Sequence, residues 1–437
     1  MKRPVVGFAG MTHLGLVSAA AVASKGFETI CYDTDRKLIS ALALGELPVI
    51  EPGLPDLLVA NGARQRFSAE LASLGACDVV YIAPDVPTND EGQSDLGGIR
   101  ALIDAVTTAL KPDATMVVLC QVPPGFTRSL KSLPAERLYY QVETLVFGQA
   151  VKRAMNPERH IVGCANPTRP LDPRFAAMLG AFGCPILPMR YESAELAKIS
   201  INMCLVASIC VANTLAELCE QIGAVWSEIV PALKLDRRIG EFSYLAPGLG
   251  IAGGNLERDL ATVERLAVAH GTDAGIVRAW RANSRHRRDW AVRTISDVLL
   301  AAKPDATIAV WGLAYKENTH SVKNSPALAT IAQLPNARLR LHDPVVPASA
   351  ARHSKAEGYA DPLQAAQGAD ALMILTPWPQ YRVIDPPDIA RVLAGQIVLD
   401  PYGVLDVNAA IAAGLDYHTL GQAAAAIEFA GLQCSDI

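Results

Sequence analysis

The stretch PVVGFAGMTHLGLVSAAAVASKGFETICYD, Pro4 to Asp33, decides the fold. Pro4–Ala9 is a short apolar run, the pattern of a buried strand. Gly10–Gly15 is a tight turn. Leu16–Lys25 is a helix of small residues, closed by Gly26. Glu28–Tyr32 is a second strand, and it ends in Asp33. A strand–turn–helix–strand unit that binds a dinucleotide carries Gly-x-Gly-x-x-Gly in its turn and an acid about 20 residues on. Here the turn is Gly10-Met11-Thr12-His13-Leu14-Gly15, and Asp33 stands at the acid's place. Thr12 replaces the glycine that normally lets the pyrophosphate approach, although its hydroxyl can donate to a phosphate. Asp33 would accept both ribose hydroxyls, which favours NAD over NADP. Arg36 points the other way if it pairs with a 2′-phosphate. Its plainer role is a solvated first-turn residue.

The rest of the chain extends this unit. At 437 residues it has room for two to four domains of roughly 100–200 residues each. Half the residues (51%) are hydrophobic, enough for large cores. Net charge is −5, acids and bases are interspersed, and no basic stripe points to nucleic acid. The nine cysteines are scattered, with no CxxC and no Cys/His cluster at metal spacing. That predicts free thiols in a reducing cytoplasm and no metal. The opening MKR and the apolar run after it resemble a signal peptide, but Gly10, Thr12, His13 and Gly15 interrupt the run where a strand–turn–helix needs them. The most apolar internal segment, Met203–Ala212, is shorter than the ~20 residues a bilayer requires. No membrane partner is expected.

Alternation of strands and helices continues. Asp78–Ala83 is a strand, Asp95–Leu110 a helix, and Thr115–Cys120 a strand running into Gln121-Val122-Pro123-Pro124-Gly125. The Pro84–Ser94 loop lies at the carboxyl end of its strand, where open α/β sheets bind ligands. Tyr191–Gly223 is a long helical region without proline, apolar nearly all round. A second strand–helix series follows: strand Thr307–Leu313, helix 326–334, and strands 338–342, 370–375 and 396–400. Residues 424–437 read as a helix and a polar tail. The fold class is therefore α/β, with two doubly wound Rossmann-like domains joined by a long central helix. Between them stands PGLGIAGGNLERD, Pro247–Asp259, with glycines at 248, 250, 253 and 254. Such a run is either a flexible surface loop or a place where backbone passes close to a ligand or another chain.

Taken together, the segments resemble the UDP-glucose/GDP-mannose dehydrogenase family, NAD-dependent enzymes that oxidise a nucleotide sugar at C6 to a uronic acid. The matching text spans nearly the whole chain. It includes the first unit with Asp33, GELPVIEPGLPDLL (45–58), VPPG (122–125), AELAKISIN (194–202), DRRIG (236–240) and the glycine stretch. Further on come GLAYKENT (312–319), NSPAL (324–328), HDP (342–344) and ADALMILTPW (369–378). The resemblance implies an NAD-binding domain over 1–190 and a central helical dimerisation domain over 191–301 with the active-site loop 247–259. It implies a UDP-binding domain over 302–437. It also implies a homodimer built on the long helix.

The family's reaction removes two hydrides. A cysteine traps the aldehyde after the first, and water hydrolyses the thioester left by the second. That cysteine lies in the motif GFGGSCFPKD. Here the motif is Ile251–Asp259, and the cysteine position is Asn255, which cannot serve as this nucleophile. Glu257 and Arg258 replace the motif's proline and lysine, while Asp259 is kept. Elsewhere Gln121 replaces a threonine, and Val146 and Phe147 replace an arginine and a second acid. Tyr402 replaces an arginine, and His320 and Ser321 replace paired acids. Glu143 survives.

By resemblance the catalytic positions are Lys198, Asn202, Asp259, Glu143 and Asn255. Those for NAD are Gly10, Thr12, His13, Leu14, Gly15, Asp33, Arg36, Pro84, Gln121 and Lys323. Those for the nucleotide sugar are Leu145, Tyr244, Gly250 and Lys316. Without the resemblance, Lys198 would read as a snorkelling surface lysine. Cys120, Cys204 and Cys210 read as packing residues rather than substitute nucleophiles. The kept set predicts a single hydride transfer from an alcohol of a UDP-glucose-like sugar. The other readings are a full 6-dehydrogenase using a different residue set, an NAD-dependent epimerase, and a non-catalytic nucleotide-sugar-binding protein.

Overall fold

The computed structural model describes residues 3–423 except 88 and 90–92. The reading of 424–437, and part of that of the 84–94 loop, lies outside the described residues. The chain divides into two compact units, Met1–Ile201 and Asn202–Ile437.

The first unit is built on an eight-stranded sheet: β1 (Val6–Ala9), β2 (Thr29–Tyr32), β3 (Gln65–Ser68), β4 (Val79–Ile82), β5 (Thr115–Val118), β6 (Leu138–Gln141), β7 (His160–Cys164) and β8 (Ile186–Arg190). Their spatial order is β3-β2-β1-β4-β5-β6-β7-β8. All neighbours are parallel except β6 and β7, which run antiparallel. The central strands are buried on both faces. Val6, Phe8, Val79, Tyr81 and Val117 pack into one core, and Ala9, Val80, Ile82, Met116 and Val118 into the other. A doubly covered sheet needs uninterrupted apolar strands, which is why these segments do not alternate.

The second unit carries a six-stranded, wholly parallel sheet: β9 (Thr307–Trp311), β10 (Arg338–His342), β11 (Ala356–Gly358), β12 (Ala371–Ile374), β13 (Ile397–Leu399) and β14 (Asp416–His418). Its order is β11-β10-β9-β12-β13-β14.

The two sheets share their wiring. Gly10 N–H donates to Tyr32 O at 2.9 Å, and Gly312 N–H to His342 O at 2.8 Å. Both glycines hold positive φ, +98° and +94°. A Cβ on Gly10 would meet Pro84 N at 2.7 Å, and one on Gly312 would meet the Thr376 Cβ at 2.4 Å. The acids before β4 and β12 also match. Asp78 accepts from Val5 N–H and pairs with Lys111, and Asp370 accepts from Thr307 N–H and pairs with Lys303.

Helix Tyr191–Ile222 follows β8 without a break and contains the boundary between the units. Here the expectation for Met203–Ala212 needs correction. The run belongs to a 32-residue helix that is long and apolar enough to cross a membrane on length and composition. Its polar residues mark it instead as a core helix. Glu195, Lys198, Asn202 and Asn213 are all buried, and each is hydrogen-bonded or ion-paired within the protein. Towards its end Val211, Leu215, Leu218 and Ile222 are exposed. Their 4-3-4 spacing puts them on one stripe.

Candidate active site

In the first unit, the first turn and helix His13–Ser24 sit at the switch point of the sheet, where the strand order reverses between β1 and β4. Gly15 is required by packing, since a Cβ there would lie 1.9 Å from Gly10 O. Asp33 is half-buried at the end of β2, and its carboxylate accepts from Met11 N–H at 2.7 Å and Asp35 N–H at 3.0 Å. These glycine cradles and the acid fit a dinucleotide's pyrophosphate and ribose. Thr12 Oγ1 accepts from Asp85 N–H at 2.8 Å. Arg36 is the first residue of its helix and pairs with Glu70 on the surface.

His13 is buried. Its ring stacks on Phe147, with centroids 4.1 Å apart, and Nε2 meets the Glu51 carboxylate at 2.9 Å. That carboxylate also accepts from Gly148 N–H at 2.9 Å and Ala150 N–H at 2.8 Å. Glu51 thus fastens the segment 143–150 to the nucleotide turn. Within that segment Glu143 accepts from Leu145 N–H and pairs with Lys198 Nζ at 3.1 Å. Both side chains are mostly buried, so Lys198 is not a snorkelling lysine. Gln121 follows β5 and is half-buried. One turn before Lys198, the fully buried Glu195 accepts from Gly125 N–H at 2.6 Å and Thr127 N–H at 2.8 Å, which fixes the VPPG turn. Sequence reasoning quoted Glu51 and Glu195 inside motifs but gave neither a role. Capping of orphan amides by a buried acid is the signal that would have found them.

In the second unit, Asn202 Nδ2 donates to Asp259 Oδ2 at 2.5 Å, and both residues are buried. Arg258, also buried, places Nε 3.5 Å from the other oxygen of Asp259. Asn255 is exposed and is the first residue of helix Asn255–His270, whose orphan amides favour negative charge.

The glycine stretch is not a flexible loop. A Cβ on Gly250 would lie 2.3 Å from Ser284 O, and one on Gly253 would lie 3.0 Å from the Tyr315 ring. Ile251 N–H and Gly248 N–H are fixed by Ser284 Oγ and Asn213 Oδ1, each at 2.8 Å. Gly253 O also accepts from Asn324, whose side chain bonds Glu257 as well. Burial pushes the Glu257 carboxyl up, while Arg288, Arg281 and Lys323 pull it down. Lys316 lies over the Tyr315 ring. Tyr244 and Tyr402 line an open groove with Trp226, Val230, Pro247 and Gly248. His320 is exposed, as an ordinary loop histidine would be.

Two of the candidate thiols, Cys120 and Cys210, are buried and hard to ionise. Burial pushes Cys120 up to about 12 and Cys210 up to about 11. Cys204 is exposed, so its expected packing role fails within the single chain. Among the described residues no cluster of His, Cys, Asp and Glu could hold a metal.

Comparison with known proteins agrees along the whole length. The NAD binding domain of the UDP-glucose/GDP-mannose dehydrogenase family matches residues 4–173, the central domain 192–285 and the UDP binding domain 309–407. UDP-glucose 6-dehydrogenase TuaD of Bacillus subtilis is 30% identical over 95% of this chain and 92% of its own. A UDP-glucose 6-dehydrogenase of Pseudomonas aeruginosa is 31% identical over 86% of this chain and 88% of its own. Among solved structures, a UDP-glucose dehydrogenase from Pyrobaculum islandicum superposes with a TM-score of 0.83 at 26% identity, covering 96% of this chain and 98% of that one. Nucleotide turn, NAD-type acid, tethered lysine and asparagine, and three matching domain models converge: the chain belongs to the UDP-glucose/GDP-mannose dehydrogenase family.

Proposed function

We propose that this protein removes a single hydride equivalent from an alcohol carbon of a UDP-linked sugar and releases a carbonyl product rather than a uronic acid. The observation that carries this is position 255. The exposed start of helix Asn255–His270 bears an amide where the second oxidation needs a thiol, and Cys120 and Cys210 are buried with raised thiols. The reading rests on the groups that the chain keeps for one oxidation. The Lys198 ammonium would hold the sugar oxygen as negative charge develops on it. Glu143, 3.1 Å from Lys198, would accept the alcohol proton through it. Asn202, oriented by its bond to Asp259, would offer a second contact to the same oxygen. The helix carrying Lys198 and Asn202 four residues apart supports joint action. NAD, when bound, supplies the hydride acceptor. Asn255 would then leave the carbonyl carbon unattacked, so oxidation stops.

A cytoplasmic homodimer fits the scattered thiols and the exposed stripe Val211–Leu215–Leu218–Ile222, which a second copy would cover. The test is stoichiometry: NADH formed per UDP-glucose consumed, with hydroxylamine trapping of the carbonyl. One equivalent and a trapped oxime support the reading. Two equivalents with UDP-glucuronate overturn it.

A further inference from the structure

Asn202 and Asp259 meet between two helices of the second unit. Val206 and Cys210, on the same helix as Asn202, share a core with Leu260 and Ala267 of helix Asn255–His270. That packing sets Asn202 opposite Asp259, and Asn202 Nδ2 donates to Asp259 Oδ2 at 2.5 Å. Asn202 is 6% and Asp259 1% exposed. An ionised carboxylate can only accept, so it dictates which end of the amide faces it. Turned over, the amide would set Oδ1 against Oδ2, two buried acceptors with no proton between them, an arrangement that buried polar groups avoid.

This lock holds only while Asp259 is a carboxylate. Burial without a countercharge favours the neutral form of an acid, and a neutral acid can donate as well as accept. It would then hold the amide either way round. The countercharge is Arg258. It is buried too, and its Nε lies 3.5 Å from Asp259 Oδ1. A guanidinium keeps its proton throughout the working pH range. The two carboxylate oxygens are thus divided, Oδ2 to the amide and Oδ1 to the guanidinium. Arginine stands here where the family motif has lysine, so the positive charge is kept while its shape changes.

We propose that Arg258 is a positioning residue for the oxidation: it holds Asp259 as a pure acceptor, and Asp259 in turn fixes which end of the Asn202 amide meets the substrate. This rests on the reading above that Asn202 contacts the reacting sugar oxygen. Asp259 then acts on the reaction through Asn202 rather than as a base.

The test has two readouts. Stopped-flow fluorescence follows NADH formed in the first turnover with UDP-glucose, a step common to one oxidation and to two. Arg258→Gln and Asp259→Asn should each slow it about 10-fold, with the NAD Kd unchanged within about twofold. Arg258→Lys, which keeps the charge, should stay within about threefold of the unaltered protein. The double variant Arg258→Gln/Asp259→Asn should be no slower than either single one, because residues that act in series do not add. The second readout needs no catalysis. In protein isotope-labelled on asparagine alone, the Asn202 side-chain amide signals, identified by their loss in Asn202→Ala, should shift in Arg258→Gln and stay near their place in Arg258→Lys. Arg258→Met takes the place of Arg258→Gln if that variant does not fold. If UDP-glucose yields no NADH, the oxidation itself fails, and the amide signals alone decide the positioning role. Rate losses that multiply in the double variant overturn the proposal, and so do Asn202 signals that ignore the loss of the Arg258 charge.

Discussion

Replacing Glu51 with alanine should cost the first unit more stability than any surface change. The Glu51 side chain is fully buried, and its carboxylate accepts from His13 Nε2, Gly148 N–H and Ala150 N–H at 2.9, 2.9 and 2.8 Å. Alanine leaves all three donors buried without an acceptor, and each such orphan costs about 1–3 kcal/mol. Taking about 1–1.7 kcal/mol for each, the loss is roughly 3–5 kcal/mol, a large part of the 5–15 kcal/mol that holds a typical domain. For a unit of this size each kcal/mol lowers the melting temperature by about 2–4 °C, so a fall of about 6–20 °C is expected. Glu51→Gln keeps one acceptor oxygen and should lose about half as much. Differential scanning calorimetry gives the size, and amide hydrogen exchange gives the location. Gly148 and Ala150 should exchange at least about 10-fold faster in Glu51→Ala, the factor for ~1.4 kcal/mol. A loss under about 1 kcal/mol, or unchanged exchange at these two amides, would refute the idea that one carboxylate fastens segment 143–150.

Four further outcomes are expected. Lys198→Met should lower kcat by about 10²–10⁴, the usual reach of a proton-transfer group, with the NAD Kd unchanged within about twofold. His160 is buried, and desolvation pushes it down from 6.5 to about 4. The unfolded chain binds that proton near 6.5 and the folded one only near 4. The stability is therefore complete above 6.5 and is lost towards pH 4, at up to about 1.4 kcal/mol per pH unit. His160→Phe should flatten that slope in urea titrations at several pH values. Gly250→Ala should cost about 3 kcal/mol or more, from positive φ and the clash with Ser284. Gly45→Ala, with similar φ and open space around it, should lose only the backbone part. Leu215→Arg with Leu218→Arg should convert a dimer to a monomer in sedimentation velocity, and a dimer that persists would remove that stripe as the interface.

The central strands were legible because burial on both faces writes them as unbroken apolar runs. Strands at the margins were not, and neither were β6 and β7, which lie inside the first sheet. β3 (QRFS) is half-exposed and shows no clear period, β8 carries Pro188, and β11 is three residues ending in glycine. An edge strand has little burial to impose a pattern. The site divides the same way. Lys198 and Asn202 share one helix, so spacing puts them on one face, but only the resemblance marked Lys198 as more than a surface lysine. Glu51 and Glu195 act on residues about 40 to 100 positions away, and a buried acid reads in sequence like any solvated one. The glycine stretch was visible but ambiguous, because only Ser284 and Tyr315, distant in sequence, decide that it is rigid.

The common wiring of the two sheets ends in opposite outcomes at the acid after the second strand. Asp33 accepts from Met11 N–H in the turn and from Asp35 N–H just after it, and stays half-buried at the rim. Asp343, its counterpart after β10, accepts on one oxygen from Leu313 N–H, Ala314 N–H and the Trp378 indole, and on the other from Val345 and Val346 N–H. Five donors saturate that carboxylate, the indole of the buried Trp378 among them. One architecture therefore yields one live dinucleotide port and one sealed from within, and each chain should titrate with a single equivalent of NAD.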